Sequence, residues 1–191
     1  MRICEFCKGA GVSWYPVDGG KQAACRVCAG ASIVPGVEYV TTPILGSDAD
    51  ALVVPVNTVG VMGAGLARAF ARRYPDLARD YAIQCAQDTL RIGTLFFWRI
   101  PFRDDDPAPR YRCIVCLPTK RDWRQPSQVE FVETGLRLFT ELYDVFDIES
   151  ASFPQLGCGL GGLAWDQVKP LMEQYLSNLP IRVRVHLSKG R

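Results

Sequence analysis

One histidine, His186, stands in a chain of 191 residues. That scarcity excludes a histidine-based metal site. It also leaves Ser–His and Cys–His hydrolytic machinery without its base. Long apolar runs are missing. No stretch can span a bilayer, and the opening Met1-Arg2-Ile3-Cys4 has no apolar signal core. The expected setting is therefore cytoplasmic, with no membrane partner. Net charge is nearly absent, at +2. This removes the electrostatic case for strong nonspecific nucleic-acid binding but leaves room for a local basic patch. What remains is ordinary globular composition, 48% hydrophobic and 22% charged, long enough for one substantial core.

Cysteine is the exception, with eight residues. Four form two copies of C-x-x-C-x-G: Cys4-Glu5-Phe6-Cys7-Lys8-Gly9 and Cys25-Arg26-Val27-Cys28-Ala29-Gly30. Without a secretion signal, this pattern favours metal over disulfide. Each turn can aim two thiolates at one ion, and four sulfurs in a closed tetrahedron suit structural zinc. Residues 1–32 are thus expected to form a zinc ribbon on Cys4, Cys7, Cys25 and Cys28, since about 30 residues need a staple to fold. The first copy is similar to one repeat of the DnaJ cysteine-rich region. Lys8, Lys21 and Arg26, with Trp14 and Tyr15, fit a nucleic-acid or protein partner; a structural cap is the plainer reading. Cys113 and Cys116 also read C-x-x-C, but in a strand these positions face opposite ways, so both are expected to pack in the core.

Residues 33–36 read as a linker, and 37–191 as a second domain. Strands are expected at 37–45 (broken or ended by Pro43), 50–56, 95–100, 111–117, 150–154 and 181–187. Helices are expected after Gly65, over 77–87, from Val129 to Tyr143, and over 165–176. Ser127-Gln128-Val129-Glu130 has the form of a capping box. Asp104-Asp105-Asp106 reads as a solvated turn, and His186 as structural or surface. Strands alternating with helices argue for an α/β sheet, whose ligands bind at the strands' carboxyl ends.

Three segments follow predicted strands. The first, Val53 to Ala67, runs from a buried strand past Asn57 through Gly60, Gly63 and Gly65 into a helix. Its glycines permit close backbone approach, and the free N–H groups of the helix start suit the phosphates of a nucleotide-like ligand. Its spacing is neither of the standard nucleotide fingerprints. The second is Pro118 to Pro126, carrying Lys120. The third, Gln155 to Leu163, holds Gly157, Gly159, Gly161 and Gly162 and can present N–H groups to a phosphate.

Pro55-Val56-Asn57-x-x-Gly60-Val61-Met62-Gly63-x-Gly65-Leu66-Ala67-x-x-Phe70, Pro118-Thr119-Lys120-Arg121-x-Trp123-Arg124, and Pro154-x-Leu156-Gly157-Cys158-Gly159-x-Gly161-Gly162-Leu163-x-Trp165 resemble the macrodomain family. Within it they look like the branch that holds DarG macrodomains and the vertebrate terminal ADP-ribose glycohydrolase. The resemblance covers residues 37 to 187. It implies a three-layer α/β/α fold around a mixed sheet, and ADP-ribose as ligand. It implies binding by Asn57 at the distal ribose and by Val61, Met62, Gly63, Gly65, Leu66, Thr119, Gly157, Cys158, Gly159, Leu160, Gly161 and Gly162 around it. Lys120 matches the lysine that removes ADP-ribose from its acceptor, with no cofactor.

Gly161 stands where the vertebrate relative has aspartate, which favours the DarG-like reading, reversal of DNA ADP-ribosylation. Ala64 stands where DarG proteins commonly carry lysine, and the N-terminal cysteine module is no part of the toxin–antitoxin pattern. The expected activity is removal of ADP-ribose from a nucleic-acid base. The alternatives are an ADP-ribose reader without turnover, or a hydrolase of protein-linked ADP-ribose or ADP-ribose 1″-phosphate.

Lys120 could act neutral, attacking a ring-opened sugar to form a Schiff base, or protonated, donating to the leaving group. Arg121, Trp123 and Arg124 could contact a nucleic-acid acceptor; equally, Trp123 could close the core beneath its loop. Cys158 lacks an evident base and is read as part of the ligand loop.

Overall fold

The computed structural model describes residues 36–101 and 113–188, with the backbone of four two-residue strands nearer the N-terminus. These are β1 (Arg2–Ile3), β2 (Val12–Ser13), β3 (Ala23–Ala24) and β4 (Ile33–Val34). β1 pairs antiparallel with β4, and β2 with β3. Ile33 and Val34, expected in a linker, are instead drawn into a paired strand by backbone hydrogen bonding with Arg2 and Ile3. Cys4, Cys7, Cys25 and Cys28, with the zinc expected on them, lie outside the described residues. So do Trp14, Tyr15, Lys8, Lys21, Arg26 and the acidic turn Asp104 to Asp106.

The main domain runs β5 (Val37–Val40), a 3-10 turn (Ile44–Gly46), β6 (Ala51–Val56), α1 (Gly65–Arg73), α2 (Pro75–Ala86) and β7 (Phe96–Arg99). It continues with β8 (Cys113–Pro118), α3 (Val129–Leu142), β9 (Ser150–Pro154), α4 (Trp165–Leu176) and β10 (Arg182–His186). The sheet order is β5-β10-β9-β6-β8-β7, and only β7 pairs antiparallel.

Helices cover both faces of this sheet, which is why β6 and β8 read as unbroken apolar runs. On one face Val53, Val115, Leu117 and Phe153 pack with Val132, Leu136 and Phe139 of α3 and Val168 and Met172 of α4. On the other, Leu52, Val54, Ile114 and Cys116 pack with Phe70 of α1 and Leu77 and Tyr81 of α2. Cys113 and Cys116 fall in opposite clusters, as strand alternation requires. Among the described residues no helix is long and apolar enough to cross a membrane.

The first strand, expected to be broken or ended by Pro43, ends at Val40, and the chain turns into the 3-10 segment. One local expectation fails. The capping box at Ser127 does not form. The N-cap is Gln128, without a side-chain cap. The Ser127 hydroxyl donates instead to Thr119 Oγ1 at 3.1 Å, and its N–H donates to the Gly161 carbonyl at 2.9 Å. A local cap contributes about 1 kcal/mol, little enough for two tertiary partners to displace.

His186 is buried rather than surface. Its Nδ1 lies 2.7 Å from the Thr42 carbonyl, an acceptor only, so Nδ1 carries the hydrogen. Nε2 then accepts from the Ser152 hydroxyl at 3.1 Å, and Ser152 Oγ accepts in turn from Ser47 Oγ at 2.7 Å. Burial pushes its pKa below the ordinary value of 6.5. The unfolded chain therefore takes up this proton before the folded one does. The stability that depends on neutral His186 is present above about pH 6.5 and is lost as pH falls through the lower folded value. Urea unfolding should give declining stability from pH 7 to pH 5, and His186→Gln should flatten that decline. Parallel pH profiles for the two proteins would refute the neutral, buried assignment.

Candidate functional site

β9, β6 and β8 are adjacent and parallel, so the segments leaving their carboxyl ends emerge side by side. These are the three segments singled out in the sequence. Each is tied to the next by specific bonds.

The first loop is built around Asn57, which is 5% exposed. Its Oδ1 accepts from the N–H groups of Val59 (3.0 Å) and Val61 (3.3 Å), and its Nδ2 donates to the Val61 carbonyl at 2.6 Å. From α2, the Tyr81 hydroxyl donates to the Asn57 carbonyl at 2.9 Å and to Oδ1 at 3.0 Å. The amide thus does the work of backbone pairing inside a turn that cannot pair with itself. Gly60 has φ +79°, and a Cβ there would approach Ala82 Cα to 3.2 Å. Glycine alone suits both the dihedral and the contact with α2.

Beyond the loop, Met62 is buried and Val61, Gly63 and Gly65 are exposed. α1 begins at Gly65 without a side-chain cap. The N–H groups of Gly65, Leu66 and Ala67 have no acceptor within the helix, and the positive end of its dipole lies there. This is a local setting for an anion.

The third segment closes on itself. Leu163 N–H donates to the Gly157 carbonyl at 3.0 Å, and Gly162 N–H to that of Gly159 at 3.1 Å. Gly161 is wedged against the Gly157 carbonyl and the Ser127 hydroxyl, so that any Cβ would collide with both. A side chain at position 161 is incompatible with this loop. Gly159, by contrast, has open space around it. Leu160 is 69% exposed and reaches across to Gly65, joining the two glycine loops. Cys158 is half-buried, and burial pushes its thiol up to about 11, which keeps it protonated and unreactive.

Between them lies the Lys120 segment. The Arg121 carbonyl accepts from both the N–H and the hydroxyl of Thr58, each at 3.0 Å, fastening it to the first loop. Lys120 Nζ donates to the Leu160 carbonyl at 3.1 Å, fastening it to the third. Desolvation lowers the pKa of this amine. Thr119 is buried: its N–H donates to the Val56 carbonyl at 2.9 Å, and its side chain holds Ser127.

Trp123 is half exposed, which excludes it from the core. Arg124 stacks on it at 4.3 Å and pairs with Asp122 at 3.4 Å. Arg121 is turned away, over the Phe131 ring at 5.4 Å.

The structure therefore brings Val61, Gly63, Gly65, Leu66, Lys120, Gly159 and Leu160 together at the carboxyl ends of these strands, with Trp123 and Arg124 on the same segment as Lys120; Asn57 is buried and holds its own loop. Thr119, Met62 and Gly161 lie beneath as supports. Sequence reasoning missed Tyr81 and Ser127. Tyr81 reads as one more apolar position on a helical stripe, and Ser127 as a cap. Nothing local marks either as a holder of a distant loop. Among the described residues no cluster of His, Cys, Asp or Glu could hold a metal.

Residues 53–172 match the Macro domain family. The chain is 37% identical over 143 residues to a protein from Thermus aquaticus named DNA ADP-ribosyl glycohydrolase, covering 75% of this chain and 38% of that protein. The solved macrodomain of Thermus aquaticus DarG superposes with a TM-score of 0.71 at 36% identity, covering 78% of this chain and 97% of that one. Thermosipho africanus DarTG in complex with ADP-ribose gives 0.76 at 34% identity, covering 82% and 42%. The chain spans about two fifths of the length of the first curated relatives it matches.

The packing of the glycine loop sets an asymmetry between neighbouring positions. Gly161→Ala should lower stability by about 1–3 kcal/mol, the usual cost of forcing atoms into a filled site. Gly159→Ala should cost well under 1 kcal/mol, because its Cβ meets open space. Thermal melts of both variants check this, and equal losses would refute the wedged position of Gly161.

Proposed function

We propose a function from one premise: the chain belongs to the Macro domain family. On that premise it is an ADP-ribosyl glycohydrolase that removes ADP-ribose from a modified nucleic-acid base. The pyrophosphate lies against the N-terminus of α1 and the loop at Gly159 and Leu160, where backbone N–H groups answer its charge. The distal ribose lies between the Asn57 loop and Lys120. Support comes from relatives named DNA ADP-ribosyl glycohydrolase at 35–37% identity and from the DarTG structure that holds ADP-ribose.

The position of Lys120 carries the reading. Its amine bonds the Leu160 carbonyl of the third loop and is partly desolvated, while the next residue, Arg121, ties the segment to the first loop through Thr58. Desolvation moves its pKa down, the direction that nucleophilic catalysis by an amine needs. The sugar ring opens, Lys120 Nζ attacks the anomeric carbon, and the base departs with a proton. Water then hydrolyses the imine and returns free ADP-ribose and the amine. The exposed Trp123–Arg124 stack, three residues on, offers an aromatic face and a cation to the acceptor strand.

The N-terminal strands support zinc in the cysteine module. Two-residue strand pairs are too short to hold a fold alone. Yet Ile3 pairs with Ile33, and Val12 with Ala24. Cys4 and Cys7 lie between β1 and β2, and Cys25 and Cys28 between β3 and β4. A four-thiolate zinc supplies the missing staple, and the ribbon's basic and aromatic residues suit nucleic acid or a protein partner.

Incubation with ADP-ribosylated single-stranded DNA should release ADP-ribose, and Lys120→Ala should slow release by at least about 100-fold, within the range for losing such a group. Borohydride added during turnover should trap the sugar on wild type and not on the variant. No release by wild type, alongside tight ADP-ribose binding in calorimetry, would replace the hydrolase with a reader. The purified chain should contain about one zinc per molecule, lost in Cys4→Ser/Cys25→Ser; less than about half an equivalent with reduced thiols would count against the four-cysteine site.

A further inference from the structure

The cations of the described helices divide sharply. Arg79 of α2 pairs with Asp76 at 3.0 Å, Arg137 of α3 with Glu141 at 3.1 Å, and Lys169 of α4 with Glu173 at 3.8 Å. Each is the only cation of its helix, and each has a carboxylate one turn away. α1, Gly65-Leu66-Ala67-Arg68-Ala69-Phe70-Ala71-Arg72-Arg73, holds three arginines and no carboxylate. Among the described residues no carboxylate pairs with Arg68 or Arg72, and Arg73 rests on the Tyr74 ring at 5.1 Å.

All three are exposed, and together with Gly65 and Ala69 they line a shallow, wide-open groove of about 610 Å³ along one face of α1. The opposite face of α1 carries Phe70 into the core, so the basic face is fixed in orientation.

This arrangement is not explained by helix stability. Arg72 and Arg73 stand in the last turn, where the helix dipole favours cations. Arg68 stands near the positive end, where it does not. Arg68 and Arg72 are also four residues apart, a like-charged neighbour pair that opposes the helix. Such a face is electrostatically satisfied by an anion from outside.

Its geometry says which kind. The groove starts at Gly65, the residue that Leu160 overlies and where the anion-binding N–H groups begin. From there it runs along α1 for about 10 Å, seven residues at 1.5 Å each. A chain of regularly spaced anions leaving the phosphate-binding edge would meet Arg68 and then Arg72.

We propose that the Arg68–Arg72–Arg73 face of α1 is a track for the phosphodiester backbone of the polynucleotide whose modified base occupies the site. The inference rests on the glycohydrolase reading for the identity of the polyanion. The contacts are to phosphate, so they position the strand and carry no sequence preference. They also account for strand binding by a chain whose net charge is only +2, because the cations are concentrated rather than numerous.

The test uses the full chain and a labelled, unmodified single strand of roughly 20 nucleotides, long enough to exceed the groove. Polarisation is read across a salt series for wild type and Arg68→Glu/Arg72→Glu. Binding should weaken by at least about 10-fold, and the slope of log K against log salt should shrink by about 1.4, two contacts at about 0.7 each. ADP-ribose affinity by calorimetry should be unchanged, which also establishes that the variant is folded; Arg68→Gln/Arg72→Gln serves if it is not.

An unchanged salt slope would overturn the proposal. So would an equal loss of ADP-ribose affinity, which would put the arginines in the nucleotide pocket. Polyglutamate bound as tightly as the strand would assign the face to an acidic protein instead. Strand binding that depends on the arginines, with no release of ADP-ribose from modified DNA, would sink the hydrolase reading and keep the track. Release from modified DNA and from a modified nucleoside, each unaffected by the arginine changes, would do the reverse.

Discussion

The site depends on one buried junction. Ser127 donates its hydroxyl to Thr119 at the end of β8 and its N–H to Gly161 in the loop after β9. Three chain segments far apart in sequence meet at this residue. Thr119 fixes the base of the Lys120 segment, Gly161 fixes the second glycine loop, and Gln128, the next residue, starts α3. A serine is small enough to sit between them, and Gly161 must lack a side chain for it to do so. α3 itself is pressed close to the sheet, because a Cβ on Gly135 would come within 2.6 Å of Leu117. The loops are thus positioned by packing beneath them rather than by their own stiffness.

On this base the polar groups divide into two kinds. Asn57, Thr58, Thr119 and Ser127 spend their hydrogen bonds on loop architecture and lie under or between the segments. Lys120 and the first residues of α1, by contrast, are partly or fully exposed. The division has a physical cause. A loop with free backbone donors must satisfy its remaining buried groups by side chains, because water is excluded from its underside. Asn57, offering both a donor and an acceptor, does so for the first loop. The same desolvation that makes these bonds necessary lowers the pKa of Lys120.

Two glycine-rich segments and a lysine segment, each following a predicted strand, were enough in the sequence to bring these three segments together at the carboxyl ends of an α/β sheet. The buried run of β6 announced itself because both faces are covered, and the amphipathic stripe of α3 because one face is. Cys113 and Cys116 went to opposite cores by alternation alone. These signals are local: period, run length and glycine content are properties of neighbouring residues.

What the tertiary structure decided is pairing across distance. Ser127 and Glu130 carry the pattern of a cap, yet two partners 8 and 34 residues away claim Ser127 instead. Tyr81 reads as core and turns out to hold Asn57. His186 reads as either structural or surface, and packing puts it in a buried chain with Ser152 and Ser47. Trp123 could have faced either way, and only packing put it in solvent. The three arginines of α1 were visible one by one, but their common face, without a paired carboxylate among the described residues, required the helix to be oriented by Phe70 against the sheet. The chain by itself determined which backbone elements form and where they end in glycine. Which side chains meet between those elements is set by packing among residues far apart in sequence, and no local pattern encodes it.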